Sequence, residues 1–444
     1  MAHFPNPMFE QIFVVPETSY GQPVIPSGSH AIRHTRAAFT LTQERAERED
    51  KHGTRGVSER VSRRRSVAWE VEGYLTPGAT PGVAPDSADL LAASGLKIHT
   101  PLSTTIASSP SPTTTSCAVA DVSSFAEIDI VGFVIDGRLH TRAVVNVSGS
   151  ELSWLGALPE APQEGDTVYT GVHLSPDSRP DRSVTLWRHL DGVAFAYGGC
   201  VGGQWELTLS GGAEARMRLS GVGADESVGG TDALAEDVDD TVTTIPVAHP
   251  DRFFESMPIR VGDEVMSVVS LDAETSAIEV ERGAAGTTPA AHGNGTAIIP
   301  HAPTSELSGS PVAGVTGQVR LGGATFTITE ATLRGEEAVR LREDYGRETP
   351  AGVSYPERRR IRLSLTGYLT TDTIDTYLRA KQFEPIPVEL QAGFKAGGTV
   401  GIFIPSFEPE IPEITAEPGR EIPLTLEGPC LEFEGDDEIS IAFL

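Results

Sequence analysis

Hydrophobic and polar residues alternate in short segments along most of the chain. Examples are "SVAWEVEGYL", "WELTLSGG", "ATFTITEATL" and "IRLSLTGYL", and turn-forming residues separate such segments. Because the side chains of a strand point alternately to the two faces of a sheet, this pattern predicts antiparallel strands with one buried face. Helical spacing is confined to a few segments, of which the clearest are "APDSADLLAASG" and "TTDTIDTYLRAKQF". The sequence therefore predicts a mainly β (α+β) protein with few helices.

One of these strands occurs twice in the chain. The segment "SRRRSVAWEVEGYLT" at 62–76 corresponds to "PERRRIRLSLTGYLT" at 356–370, at an offset of 294 residues. Each copy is followed by one of the two predicted helices. The predicted core strand of each copy comprises Val67, Trp69, Val71 and Tyr74 in the first and Ile361, Leu363, Leu365 and Tyr368 in the second. A repeat with several ordered correspondences predicts two β domains of the same design.

The two copies also end alike, but at a different offset. "GAEARMRLSG" at 212–221 corresponds to "GREIPLTLEG" at 419–428, so about 90 additional residues interrupt the first copy. We predict a first domain at 1–225 with an irregular β insertion at about 100–180, and a second domain at 301–444. Residues 226–300, which follow an acidic, glycine-rich stretch, are predicted to form a small β module between them. Each domain is expected to be a β-sandwich or barrel with one flanking helix.

Composition limits the classes of partner. The formal net charge is −28 and the pI is about 4.7. Such a surface repels nucleic acid, whose phosphates require basic residues, so specific DNA binding is not expected. No apolar run is long enough to cross a membrane, and the N-terminal residues lack the pattern of a signal peptide. We therefore expect folding in the cytoplasm and no membrane partner.

The sequence contains no recognisable catalytic motif. Three cysteines lie far apart without a CxxC pair, which predicts isolated, buried thiols. His30 and His34 are four residues apart, but they lack helical context and a third ligand, so a metal site is not predicted. Asp436 and Asp437 are interpreted as a solvent-facing turn beside the last strand. We predict no catalytic, cofactor-binding or metal-binding residues, and hence no enzyme.

Beyond these patterns, the sequence resembles a known family. "RRRSVAWEVEGYL…APDSADLLAASGLK" and "VSYPERRRIRLSLTGYLTTDTIDTYLRAKQF" resemble the major tail tube proteins of long-tailed bacteriophages (siphophages), here with two tandem tube-type domains. The module around "MPIRVGDEVMSVVSLDAETSAIEVERGAAGTTPAAH" resembles a small β module common in phage tail and baseplate proteins. The resemblance covers most of the chain, through loose patterns rather than one invariant motif.

This resemblance implies a structural protein of the virion tail that assembles in the host cytoplasm. Tube-type domains join edge to edge into rings of six domains, so a two-domain chain should form homotrimeric, pseudo-hexameric rings stacked into a tube. An acidic lumen would let genomic DNA pass during ejection without specific binding. Expected partners are other copies of the chain and the terminator, tape measure and distal tail proteins. The module at 226–300 is expected on the outside of the tube.

The long charged loop before each repeated strand corresponds to the family's contact arm between rings. In this chain the loops lie at about 43–65 and 336–360, and a solvated hairpin tip would explain their composition equally well. The residues predicted to form the ring-stacking loops are Arg48, Glu49, Asp50, Arg63, Arg64 and Arg65 in the first copy and Arg342, Glu343, Asp344, Arg358, Arg359 and Arg360 in the second. Because acidic residues accompany the arginines, ion pairing between copies or neighbours suits them better than phosphate binding.

Two alternative functions remain at the level of sequence. Baseplate hub proteins also carry paired tube-like domains, so a distal-tail or hub protein at the tail tip is the first alternative. A carbohydrate-binding β protein is the second, and it would require an exposed aromatic platform beside carboxylates. The four tryptophans are dispersed, and Trp69 and Trp205 lie in alternating strands where a core position is expected.

Overall fold

The computed structural model of the protein describes residues 5–48, 50, 59–419 and 421–444, with residue 372 described by its backbone alone. Strands dominate these residues, as the alternating pattern predicts. The strands are β1 (Glu10–Pro16), β2 (Ala31–Ile32), β3 (Arg36–Glu47), β4 (Arg60–Tyr74), β5 (Leu96–His99), β6 (Ser103–Thr105), β7 (Ser116–Ala118), β8 (Ile130–Ile135), β9 (Arg138–Ser148), β10 (Glu151–Trp154), β11 (Thr167–Tyr169), β12 (Val172–Pro176), β13 (Val184–Leu190), β14 (Val193–Ser210), β15 (Arg216–Gly223) and β16 (Asp225–Gly229).

The second half of the chain continues in the same manner. Its strands are β17 (Asp232–Ala233), β18 (Thr244–Pro246), β19 (Pro258–Val261), β20 (Glu264–Asp272), β21 (Ala277–Glu281), β22 (Ala297–Pro300), β23 (Gly317–Leu321), β24 (Ala324–Thr325), β25 (Ile328–Glu336), β26 (Arg340–Leu341), β27 (Val353–Ser354), β28 (Arg360–Tyr368), β29 (Ile386–Ala392), β30 (Val400–Phe407), β31 (Pro423–Pro429) and β32 (Ser440–Phe443). The α-helices of the described residues are α1 (Ala88–Ala92) and α2 (Ile374–Lys381). Neither helix approaches the length and apolarity needed to cross a membrane.

A continuous antiparallel sheet connects the two sequence copies. Its strands follow the order β3–β4–β15–β14–β25–β28–β31, of which the first four belong to the first copy and the last three to the second. The two copies meet where β14 pairs with β25. We call these seven strands the main sheet. One of its faces packs on the hydrophobic core, and the other is polar.

The repeated strands have the same register in both copies. In the first copy β3 pairs with β4 so that Phe39 lies opposite Trp69, and in the second β25 pairs with β28 so that Leu333 lies opposite Leu363. Both pairs are related by the offset of 294 residues seen in the sequence. The closing strands agree as well, since Leu219 of β15 lies opposite Val71 and Leu426 of β31 lies opposite Leu365. The two copies therefore place equivalent residues at equivalent positions of the sheet.

The core-strand residues of both copies are buried, except for the two tyrosines. The buried residues are Val67, Trp69, Val71, Ile361, Leu363 and Leu365. Tyr74 and Tyr368 belong to the same strands but project from the polar face, and Tyr368 is 42% exposed. The period of two explains the difference, because Gly73 and Gly367 occupy the core-facing positions and the next residue must point the other way. Both tyrosines thus belong to the predicted core strands, but their side chains lie on the polar face.

The hydrophobic core is shared between the two copies. β14 belongs to two layers, because its first half pairs with β13 and β16 and its second half pairs with β15 and β25. The glycine-rich stretch at 198–203 allows this bend, since Gly199 has a φ of +64° and a Cβ at Gly202 would lie 2.0 Å from Oγ of Ser94. In the layer opposite the main sheet, the C-terminal strand β32 pairs on one side with β30 of the second copy. On its other side it pairs with β12 of the first copy. One core cluster thus contains residues from both predicted domains.

Two further six-stranded sheets have cores of their own. The sheet β6–β11–β8–β9–β10–β7 lies within the predicted insertion at 100–180, and β17–β22–β19–β20–β21–β18 lies within the segment 226–300. The latter module contacts the first copy, where Phe254 stacks on Trp187 with a ring-centroid distance of 5.7 Å. Both sheets are therefore attached to the two-layer core rather than included in it.

The two helices occupy equivalent places in the sequence but differ in burial. Each follows its copy of the repeated strand, and each ends near a residue with positive φ, Gly95 after α1 and Phe383 after α2. Leu90 and Leu91 of α1 are fully buried in the core. On and after α2, by contrast, Ile374, Leu378 and Phe383 are exposed. The second copy thus presents an apolar surface at the position where the first copy has a covered one.

Candidate assembly interface

The polar face of the main sheet carries nearly equal numbers of arginine and glutamate side chains. They are Arg36, Glu70, Glu72, Glu206, Arg216, Arg218, Glu330, Arg334, Glu336, Arg360, Arg362 and Glu427, with Glu410 at the edge. Arg334 Nε lies 2.6 Å from Glu206 Oε2 across the junction of the two copies, and Arg362 lies 2.8 Å from Glu410. A hydrogen bond from Arg218 holds the pKa of Glu70 below its usual value. The face is therefore mixed in charge and not uniformly acidic.

The junction between β14 and β25 is closely packed on its core side. Leu207 lies opposite Leu333, and Trp205 lies opposite Gly335. A Cβ atom on Gly335 would come within 2.1 Å of the Trp205 indole, so only glycine leaves room for that ring. Trp205 and Leu207 are buried as a result. The second copy thus completes the sheet and the core of the first.

The main sheet ends in two edges that the described part of the chain leaves uncovered. At one end, β3 pairs with β4 and with no other described strand. At the other, residues 408–410 run beside β31: the Glu408 amide donates to the Pro429 carbonyl at 3.1 Å and the Glu410 amide to the Glu427 carbonyl at 2.7 Å. Leu41 beside the first edge is 39% exposed, and Ile411 beside the second is 50% exposed. Each edge combines unpaired backbone with apolar side chains, which is typical of strands that pair with another chain.

The exposed edge of β3 is equivalent to an edge that is covered within the same chain. At the offset of 294 residues, Phe39 corresponds to Leu333 and Leu41 corresponds to Gly335. The latter two lie on β25, whose outer side pairs with β14. The pairing of β25 with β14 therefore shows, within the chain, the kind of contact that the uncovered edge of β3 could make with another chain.

The residues of the first predicted arm lie on the hairpin of β3 and β4 where it extends beyond the core. Arg48 forms ion pairs with Asp50 at 2.7 Å and with Glu59 at 2.9 Å, while Glu49 lies outside the described residues. Arg63 pairs with Glu44 at 3.1 Å. All of these side chains are largely exposed, so the described end of the hairpin is a charged surface.

The base of this hairpin contacts the second predicted arm. The Arg65 amide donates to the Glu348 carbonyl at 3.1 Å, and the Arg64 guanidinium donates to the carbonyl of Asp344. The Arg65 side chain turns the other way and pairs with Asp225 at 3.0 Å. The two arms, far apart in sequence, thus form one surface.

The second arm is shorter than the sequence suggests. Arg342 and Asp344, with a nitrogen–oxygen distance of 3.8 Å, and the exposed Glu343 lie at the tip formed by β26 and β27. Of the following arginines, Arg358 is exposed in the loop, while Arg360 belongs to the polar face of the main sheet, opposite Glu336. These two arginines and Arg359 therefore do not form one cluster.

Arg359 is a structural residue and not part of an exposed arm. Its Nε lies 2.7 Å from Glu438, and its terminal nitrogen lies 2.6 Å from Asp436. Asp437, on the same turn, accepts hydrogen bonds from the amides of Phe433 and Glu434 at 2.8 and 2.7 Å. The interpretation of Asp436 and Asp437 as a solvent-facing turn was therefore wrong for Asp437, which is buried. The carboxylates fix the C-terminal turn, a role with no local sequence signal.

Close to this cluster lies a carboxyl group that the sequence did not single out. Glu337 follows β25, and its amide donates to the Gly203 carbonyl at 2.8 Å. Burial, with Glu438, Asp177 and Asp436 nearby, raises the pKa of Glu337 to about 7. This group belongs to the junction of the two copies, where strands of both meet.

Among the described residues, no group of three or more histidine, cysteine or acidic side chains is placed to hold a metal ion. The three cysteines are buried and not bonded to one another. The features with functional geometry are thus the open edges, the mixed-charge face and the arms, all of which suit assembly. Comparison with curated proteins gives no match. The family model described as "Phage tail tube protein" matches residues 10–428, nearly the whole chain, and the chain therefore belongs to the phage tail tube protein family.

Proposed function

We propose that the protein is a major tail tube protein of a long-tailed phage and that three chains form a pseudo-hexameric ring. In this ring, β3 of each chain pairs with residues 408–414 of the next chain. The observation that carries the proposal is the pairing of β14 with β25 inside the chain. β25 is the equivalent of β3, and the second half of β14 lies beside the closing strand β15 as residues 408–410 lie beside the closing strand β31. Each of the three contacts between chains would repeat this internal junction. Closure would leave no open edge in the main sheet, which removes the main liability of the isolated chain.

The polar face of the main sheet would then line the bore through which genomic DNA passes. Four of its six arginines form ion pairs with glutamates, as in the contacts of Arg334 with Glu206 and of Arg362 with Glu427. Guanidinium groups engaged in this way are less available to phosphates, so the wall would hold DNA weakly without being strongly acidic. The role is structural rather than enzymatic, and the protein acts as a component of the virion tail.

The apolar surface of α2 supports the same arrangement. Leu90 and Leu91 of α1 are covered within the chain, whereas Leu378 of α2 and the nearby Phe383 are exposed. If the contact between chains repeats the one within the chain, the neighbouring subunit covers part of this surface. Stacked rings would meet through the arms, and the terminator, tape measure and distal tail proteins would contact the ends and the bore. The module at 226–300 would lie outside.

The alternatives have less support. A distal-tail or hub protein would have the same paired copies, but it would be present in few copies per virion, whereas a major tube protein is among the most abundant. A carbohydrate-binding function would require exposed aromatic side chains on a platform. Trp69, Trp154, Trp187 and Trp205 are all buried, which disfavours such a platform.

Electron microscopy of the purified protein tests the proposal. Negatively stained samples should contain rings with three-fold symmetry, or tubes built from them. Light scattering should show a mass that rises with concentration, because open edges associate by mass action. A chain that stays strictly monomeric at high concentration would contradict the proposal.

Exchanging the charges at the arm tips should prevent stacking without preventing ring formation. In the variant Arg48→Asp, Asp50→Arg, Arg342→Asp, Asp344→Arg, the exchanged residues keep their mutual attraction, and the exposed contact of Arg48 with Glu59 is lost. The surface shown to the next ring is rearranged. Exposed charge contacts determine specificity and register more than folding stability. Micrographs should therefore show single rings in place of tubes. Tubes of normal length would refute the assignment of these residues to stacking.

A further inference from the structure

A pocket rich in arginine lies where the inserted sheet meets the second copy. It has a volume of about 520 Å³ and is open to solvent on one side. Its wall is formed by β9, by the loop that carries Ala157 and by β23. We call it the arginine pocket, after three side chains that line it: Arg138, Arg142 and Arg320. In a chain with a net charge of −28, such a concentration of basic groups is unusual.

Two of these arginines are buried beside a single carboxylate. Arg142 is 1% exposed and Arg320 is 3% exposed. Glu389 lies 3.2 Å from Arg320, and its other oxygen accepts a hydrogen bond from the Ala143 amide at 2.9 Å. Among the described residues, no carboxylate forms an ion pair with Arg142, which donates to three backbone carbonyls, those of Gly156, Thr141 and Ala157, at 2.6–3.1 Å. The buried part of the pocket therefore has more positive than negative charge.

This excess charge has an energetic consequence. A guanidinium that is removed from water needs a counter-charge, because neutral carbonyls replace only part of its hydration. Burial and the nearby Arg320 lower the pKa of Arg142 to about 10, which reflects the same imbalance. An anion in the pocket would offset it.

The pocket also has polar groups that could bind a ligand directly. His140 is 9% exposed, and its Nδ1 atom has no hydrogen-bond partner within the described part of the chain. Burial and the neighbouring arginines lower the pKa of His140 to about 4, so the ring is neutral near pH 7 and one nitrogen can donate. At the rim, the Arg138 guanidinium lies 4.1 Å from the centre of the Phe394 ring, which holds it over the opening. Asp136 is the acidic side chain that acts on His140, and it is exposed.

We propose that the arginine pocket binds an oxyanion, either a phosphate group or a carboxylate. Guanidinium groups form paired hydrogen bonds with both, and the remaining charge of Arg142 and Arg320 would be neutralised by either. The volume accommodates more than a bare ion, so the anionic group would belong to a larger molecule or to an acidic segment of another protein. The proposal does not depend on ring formation, since all of the lining residues belong to one chain.

Thermal unfolding with added anions tests this site. Sodium phosphate and sodium glutarate are each compared with sodium chloride at matched ionic strength, so that only specific binding raises the unfolding temperature. The test variant is Arg138→Gln, because this side chain is exposed at the rim and its loss should not affect folding. We expect about tenfold weaker binding of the active anion by this variant, the loss typical of one charge-assisted hydrogen bond. Arg216→Gln is the matched control, since Arg216 is an exposed arginine over the Tyr74 ring at 5.5 Å.

The outcomes separate the possibilities. A response to phosphate alone that weakens in Arg138→Gln assigns a phosphate-bearing ligand, and a response to glutarate alone assigns a carboxylate, as on an acidic protein segment. The Arg216→Gln variant should respond like the unmodified protein. If neither anion exceeds sodium chloride, or if Arg138→Gln responds like the unmodified protein, the proposal is overturned.

Discussion

Replacing Gly335 by alanine is expected to destabilise the protein by about 1–3 kcal/mol, the usual cost of overfilling a packed core. Its Cβ would lie 2.1 Å from Cε2 of Trp205, a contact that requires the indole or the strand to move. Because Gly335 and Trp205 face each other across the junction of β14 and β25, the displacement separates the two copies at the centre of the main sheet. Urea unfolding should show a lower midpoint. Assembly should be impaired to a degree that follows the loss of folding stability.

Two further variants show whether the indole is the cause. Gly212→Ala is the matched control, since a Cβ at Gly212 meets nothing within 4 Å and its substitution should change the midpoint little. In a Trp205→Leu background, the smaller side chain leaves room for the added methyl group, so Gly335→Ala should cost less than it does alone. Equal effects of Gly335→Ala in both backgrounds would show that the clash is not the reason for glycine at this position.

The regular features of the fold could be predicted because they depend on local sequence. Alternation in "VAWEV" is enough to place Val67, Trp69 and Val71 on one face, and the same holds for Leu363 and Leu365 in the second copy. The offset between the copies also gives the common strand register, since equivalent residues pair with equivalent partners. Tyr74 and Tyr368 end the same strands on the opposite face, because a strand continues its alternation to its last residue.

The pairings between the copies could not be predicted in the same way. β12 and β32 are more than two hundred residues apart, and nothing in either short segment specifies the other as its neighbour. Similarly, Arg359 looked like part of an exposed basic cluster, whereas its partners Asp436 and Glu438 lie near the C-terminus. Contacts of this kind depend on how the two layers close over the core. For the same reason, no local motif indicated the arginine pocket, which combines residues of β9, β23 and two loops.

Net charge was also an incomplete guide to the face proposed to line the bore. The value of −28 describes the whole chain, and it does not say where the acidic side chains lie. On the polar face of the main sheet, arginines alternate with glutamates across neighbouring strands, as Arg218 does with Glu70 and Arg334 with Glu206. Pairing across strands is favourable when opposite charges are direct neighbours, so this pattern also stabilises the sheet.

Replacing Leu41 by aspartate is expected to abolish ring formation while leaving the chain folded. Leu41 occupies on β3 the position that Gly335 occupies on β25, and in the proposed ring it faces the segment 408–414 of the next chain, which contains Ile411. A carboxylate at a contact that excludes water is left without a partner, at a cost of about 3–5 kcal/mol for each contact between chains. In the isolated chain Leu41 is 39% exposed, so the same carboxylate stays hydrated and the unfolding temperature should change little.

Size-exclusion chromatography with light scattering measures both parts of this expectation. The Leu41→Asp variant should elute as a folded monomer at concentrations where the unmodified protein forms rings or tubes. Val269→Asp provides the control, because Val269 is a half-exposed aliphatic residue on β20 of the module at 226–300, away from both edges. It should assemble normally. If Leu41→Asp formed rings at the concentrations at which the unmodified protein forms them, the edge of β3 would not be the contact between chains. The internal junction would then have no counterpart in the assembly.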